Sequence, residues 1–269
     1  MKIVFFLGLI SSLCLSACNS SPVKVLDNSK HIDSLQAAVA SDLRSSDNRL
    51  RDGYRHPVET LEFFGLKPDM NVVEIWPSAG WYAEILAPYL SAHGKYIAAV
   101  NRSNRPEVLK GNHKFEGWVN AHPEVKVNLS EFTPPQKTAI APDNSADMIL
   151  TFRNVHNWMG NHAEAAAFQA FFKALKPGGI LGVVEHRANP KGKLDPKSGY
   201  VLEKTVISLA TAAGFKLVDK SEINANPADT KNYQNGVWSL PPNNRHEKQD
   251  DAKFLAIGES DRMTLKFVK

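Results

Sequence analysis

Two groups of residues in this chain have the types and spacing to do chemistry. The first is the run 71–82, NVVEIWPSAGWY. Val72, Val73 and Ile75 are β-branched and read as a buried strand with Glu74 near its end. Trp76-Pro77-Ser78-Ala79-Gly80 is a sharp turn, and the residues from Trp81 onward start an amphipathic helix. Strand, tight turn and helix place backbone N–H groups and a helix N-terminus over a nucleotide-like ligand. An acid at the strand end can hold a polar or cationic part of that ligand. The same layout also serves as an ordinary connection in a doubly wound domain.

The second group is ionisable. Arg51-Asp52-Gly53-Tyr54-Arg55-His56-Pro57 precedes a helix that Pro57 and Glu59 can start. Glu185-His186-Arg187 follows an apolar strand and can bind a polar substrate or exchange a proton, or simply close a salt-linked strand end. Arg51, Asp52 and Arg55 read more simply as a solvated ion-pair cluster. Trp76, Trp81 and Trp158 can stack on a base or a cationic group, or belong to the core. The nine histidines include no His-x-x-x-His pair and match no metal-ligand spacing, so they read as scattered surface residues and no metal is expected. Neither a Gly-x-Ser-x-Gly elbow nor a Walker loop occurs.

Hydrophobic patterning supplies the elements that must position these groups. Buried strands are predicted at 71–75, 95–100, 147–152 and 180–184, with a short alternating strand at 125–129 and a late one at 216–220. Helices are predicted over 31–43, from Pro57 to Gly65, and over 81–90, 164–175 and 201–213. Residues 107–122 read as irregular with helical pieces, and 224–247 as a long polar insertion containing Trp238. Residues 253–257 and 263–268 read as the strands of a final hairpin around Gly258-Glu259-Ser260-Asp261-Arg262, taken as a solvated turn rather than one that closes over the site. Strands alternating with helices predict an α/β doubly wound fold, mostly parallel, with a C-terminal antiparallel hairpin.

The first residues read as a signal rather than as fold. Lys2 precedes an apolar run at 3–15, too short to span a bilayer, and Leu15-Ser16-Ala17-Cys18 resembles a bacterial lipobox. Cleavage before Cys18 and acylation of that residue would anchor the chain in a lipid bilayer. The lack of an Asp after Cys18 points to the outer membrane, facing the periplasm. Residues 1–17 are then signal, 18–48 the lipidated cysteine, tether and a first helix, and 49–269 the main domain. The chain carries 32 Lys+Arg against 28 Asp+Glu. That balance is too mild to argue for nucleic acid, and no basic run interleaved with aromatics appears.

The order of the elements, with Pro142-Asp143-Asn144-Ser145-Ala146-Asp147 leading into one strand and Leu175-Lys176-Pro177-Gly178-Gly179 into the next, resembles class I S-adenosylmethionine-dependent methyltransferases over roughly residues 51–269. More narrowly, RDGYRHP, EIWPSAGWY, RNVHNW and GESDRMTLKF are similar to a group of predicted methyltransferases exported in bacteria. The resemblance implies a Rossmann-like fold and S-adenosylmethionine as cofactor. It implies that Glu74 and the backbone of Pro77, Ser78, Ala79 and Gly80 hold the amino-acid and ribose portions, with Asn101 at the ribose hydroxyls and Glu131 beside the adenine. Arg153, Asn154 and His156 would form the floor facing the substrate, with His156 either the general base, assisted by Glu185 and His186, or a histidine packed beside Trp158 that donates to a backbone carbonyl. Arg51, Arg55, Trp158 and Arg187 would contact the substrate.

The family's turn reads acid-x-Gly-x-Gly-x-Gly, whereas Trp76 and Ser78 stand at the first two glycine positions here. Glycine permits positive φ and close backbone approach, so this loop is expected to take another path or hold a smaller ligand. Asn101 stands where an acid is usual, which loses a charge-assisted acceptor. The resemblance implies a methyltransferase anchored in the bacterial envelope. The altered loop and the export signal fit instead a non-catalytic lipoprotein that binds a nucleoside-like or other small ligand, or a structural envelope protein with none.

Overall fold

The computed structural model describes residue 1, residues 32–192, residue 195 and residues 197–269. The expected signal, Cys18 and the tether lie outside the described residues. Helices α1 (Leu35–Ala40), α2 (Ser46–Arg49), α3 (Asp52–Arg55) and α4 (Pro57–Phe64) lead into strand β1 (Asn71–Ile75). Then follow α5 (Ala83–Leu90), β2 (Lys95–Val100), α6 (Pro106–Ala121), β3 (Val127–Glu131), β4 (Ala146–Phe152), α7 (Val155–Met159), α8 (Glu164–Ala174) and β5 (Leu175–His186). Helix α9 (Glu203–Ala212), β6 (Lys216–Ser221), α10 (Asp251–Ile257) and β7 (Arg262–Val268) complete the order.

The strands form one seven-stranded sheet in the order β3-β2-β1-β4-β5-β7-β6. Strands β1 to β5 run parallel, and β7 lies antiparallel between β5 and β6. The expected fold class holds. The antiparallel C-terminal pair is β6–β7, whereas 253–257, read as its first strand, is the helix α10, which buries Phe254 against the stacked ring of His246. Residues 107–122 are likewise one helix, α6, rather than irregular pieces.

Period-two alternation assigns the strand side chains to two core layers. Val73, Ile75, Ile97, Ala99 and Ile149 face Phe168 and Phe171 of α8. Val72, Tyr96, Ala98, Met148 and Leu150 face Leu61 and Phe64 of α4 and Ile85 and Leu86 of α5. Glu74 shares the second face. The segment 41–50 is tied to that layer by polar bonds: Trp81 Nε1 donates to the Asn48 carbonyl (2.9 Å), Trp118 Nε1 to that of Leu43 (2.8 Å), and Ser45 N to Glu84 Oε2 (3.0 Å). Among the described residues no helix is long and apolar enough to cross a membrane.

Candidate functional site

Parallel strands end together, and the ends of β1, β2, β4 and β5 enclose a cleft of two adjoining chambers. A larger one, about 660 Å³, is lined by Asn101, Arg105, Asn112, Thr133, Trp158 and Arg245, among others. A smaller one, about 270 Å³, is lined by Arg55, Glu74, Tyr82, Arg153, His186 and Ser260, among others. Trp76, Ser78, Asn154, His156, Asn157 and Trp238 line both and form the wall between them. A site at strand carboxyl ends is where an open α/β sheet leaves a crevice.

The turn after β1 corrects the expected change of path. Trp76, Ser78 and Gly80 all take positive φ, at 51°, 54° and 87°. The backbone therefore keeps left-handed turns at the positions where glycine would supply them, and tolerates the strain of two side chains there. The Trp76 indole is anchored by donating to the Phe132 carbonyl (2.7 Å) and lies edge-on to Trp158 (5.6 Å). On the other side α6 presses close: a Cβ on Gly111 would meet Ser78 Oγ at 3.0 Å, and one on Gly80 would meet the Phe115 ring at 3.0 Å. Gly80 N closes the turn on the Pro77 carbonyl (2.9 Å). Pro77 and Ser78 face the cleft, while Ala79 and Gly80 build the turn without lining either chamber.

Glu74 is buried in β1 and accepts from Tyr96 Oη (2.6 Å). Burial raises its pKa to about 7, against the opposing pull of the Tyr96 hydroxyl and of Arg55. Folded protein thus keeps a proton that the unfolded chain releases near 4.5. Stability falls as pH rises from about 4.5 to about 7 by about 3 kcal/mol from this group, and is flat above. Glu74→Gln is expected to remove that slope, so the variant's stability relative to wild type increases between pH 5 and pH 8. Urea unfolding of both proteins at the two pH values checks this, and parallel wild-type and variant curves would contradict it.

His156, on α7 just beyond β4, is fixed by Glu185 at the end of β5. Its Nδ1 lies 3.1 Å from Glu185 Oε1, and its backbone N donates to Oε2 (3.3 Å). Glu185 is fully buried, and its Oε1 also accepts from His186 N (2.7 Å). His186 is buried with Nδ1 2.5 Å from Ser260 Oγ, and burial, then the charges of His156 and Arg153, push its pKa down, which leaves it neutral. The two histidine rings lie 5.4 Å apart. These two are therefore not scattered surface histidines. His156, Glu185 and His186 each bring a ligand-capable atom within 4.8 Å of the others, the one such group among the described residues. Glu185 is already occupied by three protein N–H groups, and the surrounding guanidiniums oppose a cation, so the arrangement serves as a histidine–carboxylate dyad rather than a metal centre.

A cluster of arginines around Glu259 backs the small chamber: Arg55 and Glu259 line it, whereas Arg51 and Arg262 lie outside its lining. Glu259 Oε1 pairs with Arg51 Nε (2.6 Å), and its Oε2 lies 3.3 Å from both Arg55 Nε and Arg262 NH1. Arg55 is 2% exposed, Arg262 3% and Glu259 4%. Burial alone would raise the Glu259 pKa, but Arg55, Arg262 and Arg51 outweigh it and hold it at about 2. The expected solvated turn at 258–262 is thus buried, and Arg51 and Arg55 of the expected solvated cluster join it through Glu259, while Asp52 pairs with Arg44 (2.7 Å). Trp81 is clamped by the protein's own cations, with the guanidinium carbons of Arg55 and Arg44 at 4.5 and 5.1 Å from its ring. Tyr82 stacks on Phe152 at 3.6 Å as the chamber's floor, and burial raises its hydroxyl to about 12.

Asn101 lines the large chamber, with Oδ1 accepting from Ser103 N (3.0 Å) and its carbonyl held by Asn112 Nδ2 (2.6 Å). Asn154 Nδ2 donates to the Ile75 carbonyl (2.9 Å), which ties β4 to β1 under the wall. Glu131 pairs with Lys137 (2.6 Å) and lines neither chamber; Thr133 and Pro134 do. Arg187 points away from the cleft: Glu222 and Asp261 occupy its guanidinium at 2.7–3.0 Å. Trp238, Pro241 and Pro242 of the polar insertion fold over the small chamber, and a lone Trp in so polar a stretch was the one sequence signal for that.

No protein-family model matches this sequence, and comparison with curated proteins likewise finds no match. Solved structures do match in fold. A SAM-dependent methyltransferase from Aquifex aeolicus aligns with TM-score 0.52 at 21% identity, over 65% of this chain and 87% of its own. The [4+2]-cyclase SpnF aligns with TM-score 0.54 at 17% identity, over 87% of this chain and 91% of its own. The fold is the Rossmann-like fold of S-adenosylmethionine-dependent methyltransferases. That the cyclase shares it means the site, not the fold, must carry the functional argument.

Proposed function

We propose that this protein is an S-adenosylmethionine-dependent methyltransferase, held on the outer membrane's periplasmic side by an acylated Cys18 as in the exported group its motifs resemble. The observation that carries the reading is the His156–Glu185 dyad on the wall between a chamber of nucleoside size and a smaller polar one. The residues present fit the cofactor: the left-handed 76–80 turn offers its backbone, and Asn101, Asn112 and Trp158 line a chamber within the usual range for such ligands. When bound, the cofactor supplies an electrophilic methyl group on a sulfonium.

The chain's own part is to orient and to move a proton. Glu185 fixes the His156 ring through Nδ1, which leaves Nε2 to accept a proton from an acceptor lying in the small chamber. Trp238 and the two prolines over that chamber restrict water. His186, neutral and tied to Ser260, completes its polar wall.

The side chains of Trp76 and Ser78 support a second reading, a non-catalytic module that binds a nucleoside-like ligand in the same cleft. Calorimetric titration of the full chain in mild detergent with S-adenosylmethionine and S-adenosylhomocysteine tests the first. Micromolar binding of either is expected, and no binding by folded protein would sink the proposal.

A further inference from the structure

The small chamber holds more positive charge and more free donors than its own carboxylates can use. Arg153, at the end of β4, takes a left-handed φ of 63°, an uncommon conformation for a long side chain. It is half-buried, lines the small chamber, and among the described residues its guanidinium has no hydrogen-bond or ion-pair partner. Arg55 lines the same chamber and commits Nε to Glu259, while its NH2, buried, has no acceptor. Arg51 NH2, outside the chamber's lining, is likewise buried without an acceptor. A buried guanidinium nitrogen left unpaired costs more than an ordinary missing hydrogen bond, so Arg55 NH2, in the same lining as the unpartnered Arg153, marks a partner the protein does not itself supply.

The carboxylates confirm the imbalance. Arg51, Arg55, Arg153 and Arg262 are set chiefly against Glu259, with Glu185 a weaker influence on Arg153 and Asp261 on Arg262. Glu74 keeps its proton up to about pH 7. Glu185 spends its oxygens on His156 and His186. The remaining wall, Tyr82, His186, Ser260 and Asn243, is uncharged.

We infer that the small chamber is an oxyanion site, with Arg153 and Arg55 as its ligands, and that the methyl acceptor is a small molecule carrying a carboxylate or phosphate group. The acceptor clause rests on the methyltransferase reading; the oxyanion site does not. Planar, forked guanidiniums suit either group. S-adenosylmethionine is itself a net cation, so a surplus of positive charge beside it favours an anionic acceptor and rejects an amine.

The test titrates the full chain in mild detergent with inorganic phosphate, followed by thermal unfolding, at an ionic strength matched with chloride. Saturable stabilisation is expected in wild type. Arg153→Gln is expected to weaken phosphate about 10- to 100-fold, and Arg153→Lys to restore part of that. No effect beyond chloride, or equal stabilisation of Arg153→Gln, overturns the site. The titration is repeated with saturating S-adenosylhomocysteine and with methylthioadenosine, which lacks the amino-acid carboxylate. Phosphate binding alongside both supports the acceptor assignment. Exclusion by S-adenosylhomocysteine alone overturns it, because the arginines then serve the cofactor's own carboxylate. If neither nucleoside binds while phosphate still does and Arg153 is still required, the oxyanion site stands and the methyltransferase reading falls.

Discussion

Glu259→Gln is expected to destabilise the protein by about 3–5 kcal/mol, among the largest losses any single polar substitution here would cause. Among the described residues Glu259 is the one carboxylate in contact with Arg51, Arg55 and Arg262, and two of those three are almost wholly buried. Removing its charge leaves three guanidiniums facing one another with little water to screen them. The loss reaches beyond the site, because the network joins α3 to the start of β7: Arg262 NH2 also donates to the Tyr54 carbonyl (2.6 Å). The same contact sets an acid limit. Glu259 is held at about 2 against an ordinary 4.5. Its contribution is therefore complete above about pH 4.5 and is lost as pH falls toward 2. Urea unfolding of wild type and variant at neutral pH, and of wild type from pH 5 downward, measures both. A neutral-pH loss below 1 kcal/mol would mean that the cluster is not held through this carboxylate.

That network shows where sequence reading stops. The sheet is legible because β-branched runs with period two declare themselves locally, and the turn after β1 is legible because its small residues interrupt one. Residues 258–262 carry the opposite local signal: Gly, Glu, Ser, Asp and Arg read as a solvated tip. They are buried because β7 enters the sheet antiparallel, between β5 and β6, so it begins where the parallel strands end; Arg262 pairs in register with His186. No local pattern encodes which strand lies beside which. The same adjacency brings His156 to Glu185 across 29 positions of sequence, through the pairing of β4 with β5.

Two further departures have local causes. The helix α6 was obscured by Gly111 and Gly117, yet Gly111 is where the helix lets the Ser78 turn approach. Residues 253–257, Lys-Phe-Leu-Ala-Ile, carry no periodicity long enough to separate strand from helix. The left-handed path of Trp76 and Ser78 defeats expectation for another reason. The anchored indole and the pressing α6 over-determine a backbone that glycine would otherwise be needed to allow.

Replacing His156 by Ala is expected to cut methyl-transfer turnover by about 10²–10⁴-fold while leaving S-adenosylhomocysteine affinity nearly unchanged. The two readouts separate because Asn101, Asn112 and Trp158, which line the large chamber, make no hydrogen bond to His156, which borders it only at the shared wall. Glu185→Gln keeps the side chain's shape but removes the charge that steadies the ring. It should lower turnover less than His156→Ala and shift the pH profile, a change that a merely structural carboxylate would not produce. Because the pair acts as one unit, the double variant should lose little more than His156→Ala alone. Turnover unchanged in His156→Ala would remove this histidine from the mechanism. Turnover lost together with cofactor binding would make it part of the cofactor's cradle and leave the proton's acceptor to be sought among the other groups of the small chamber.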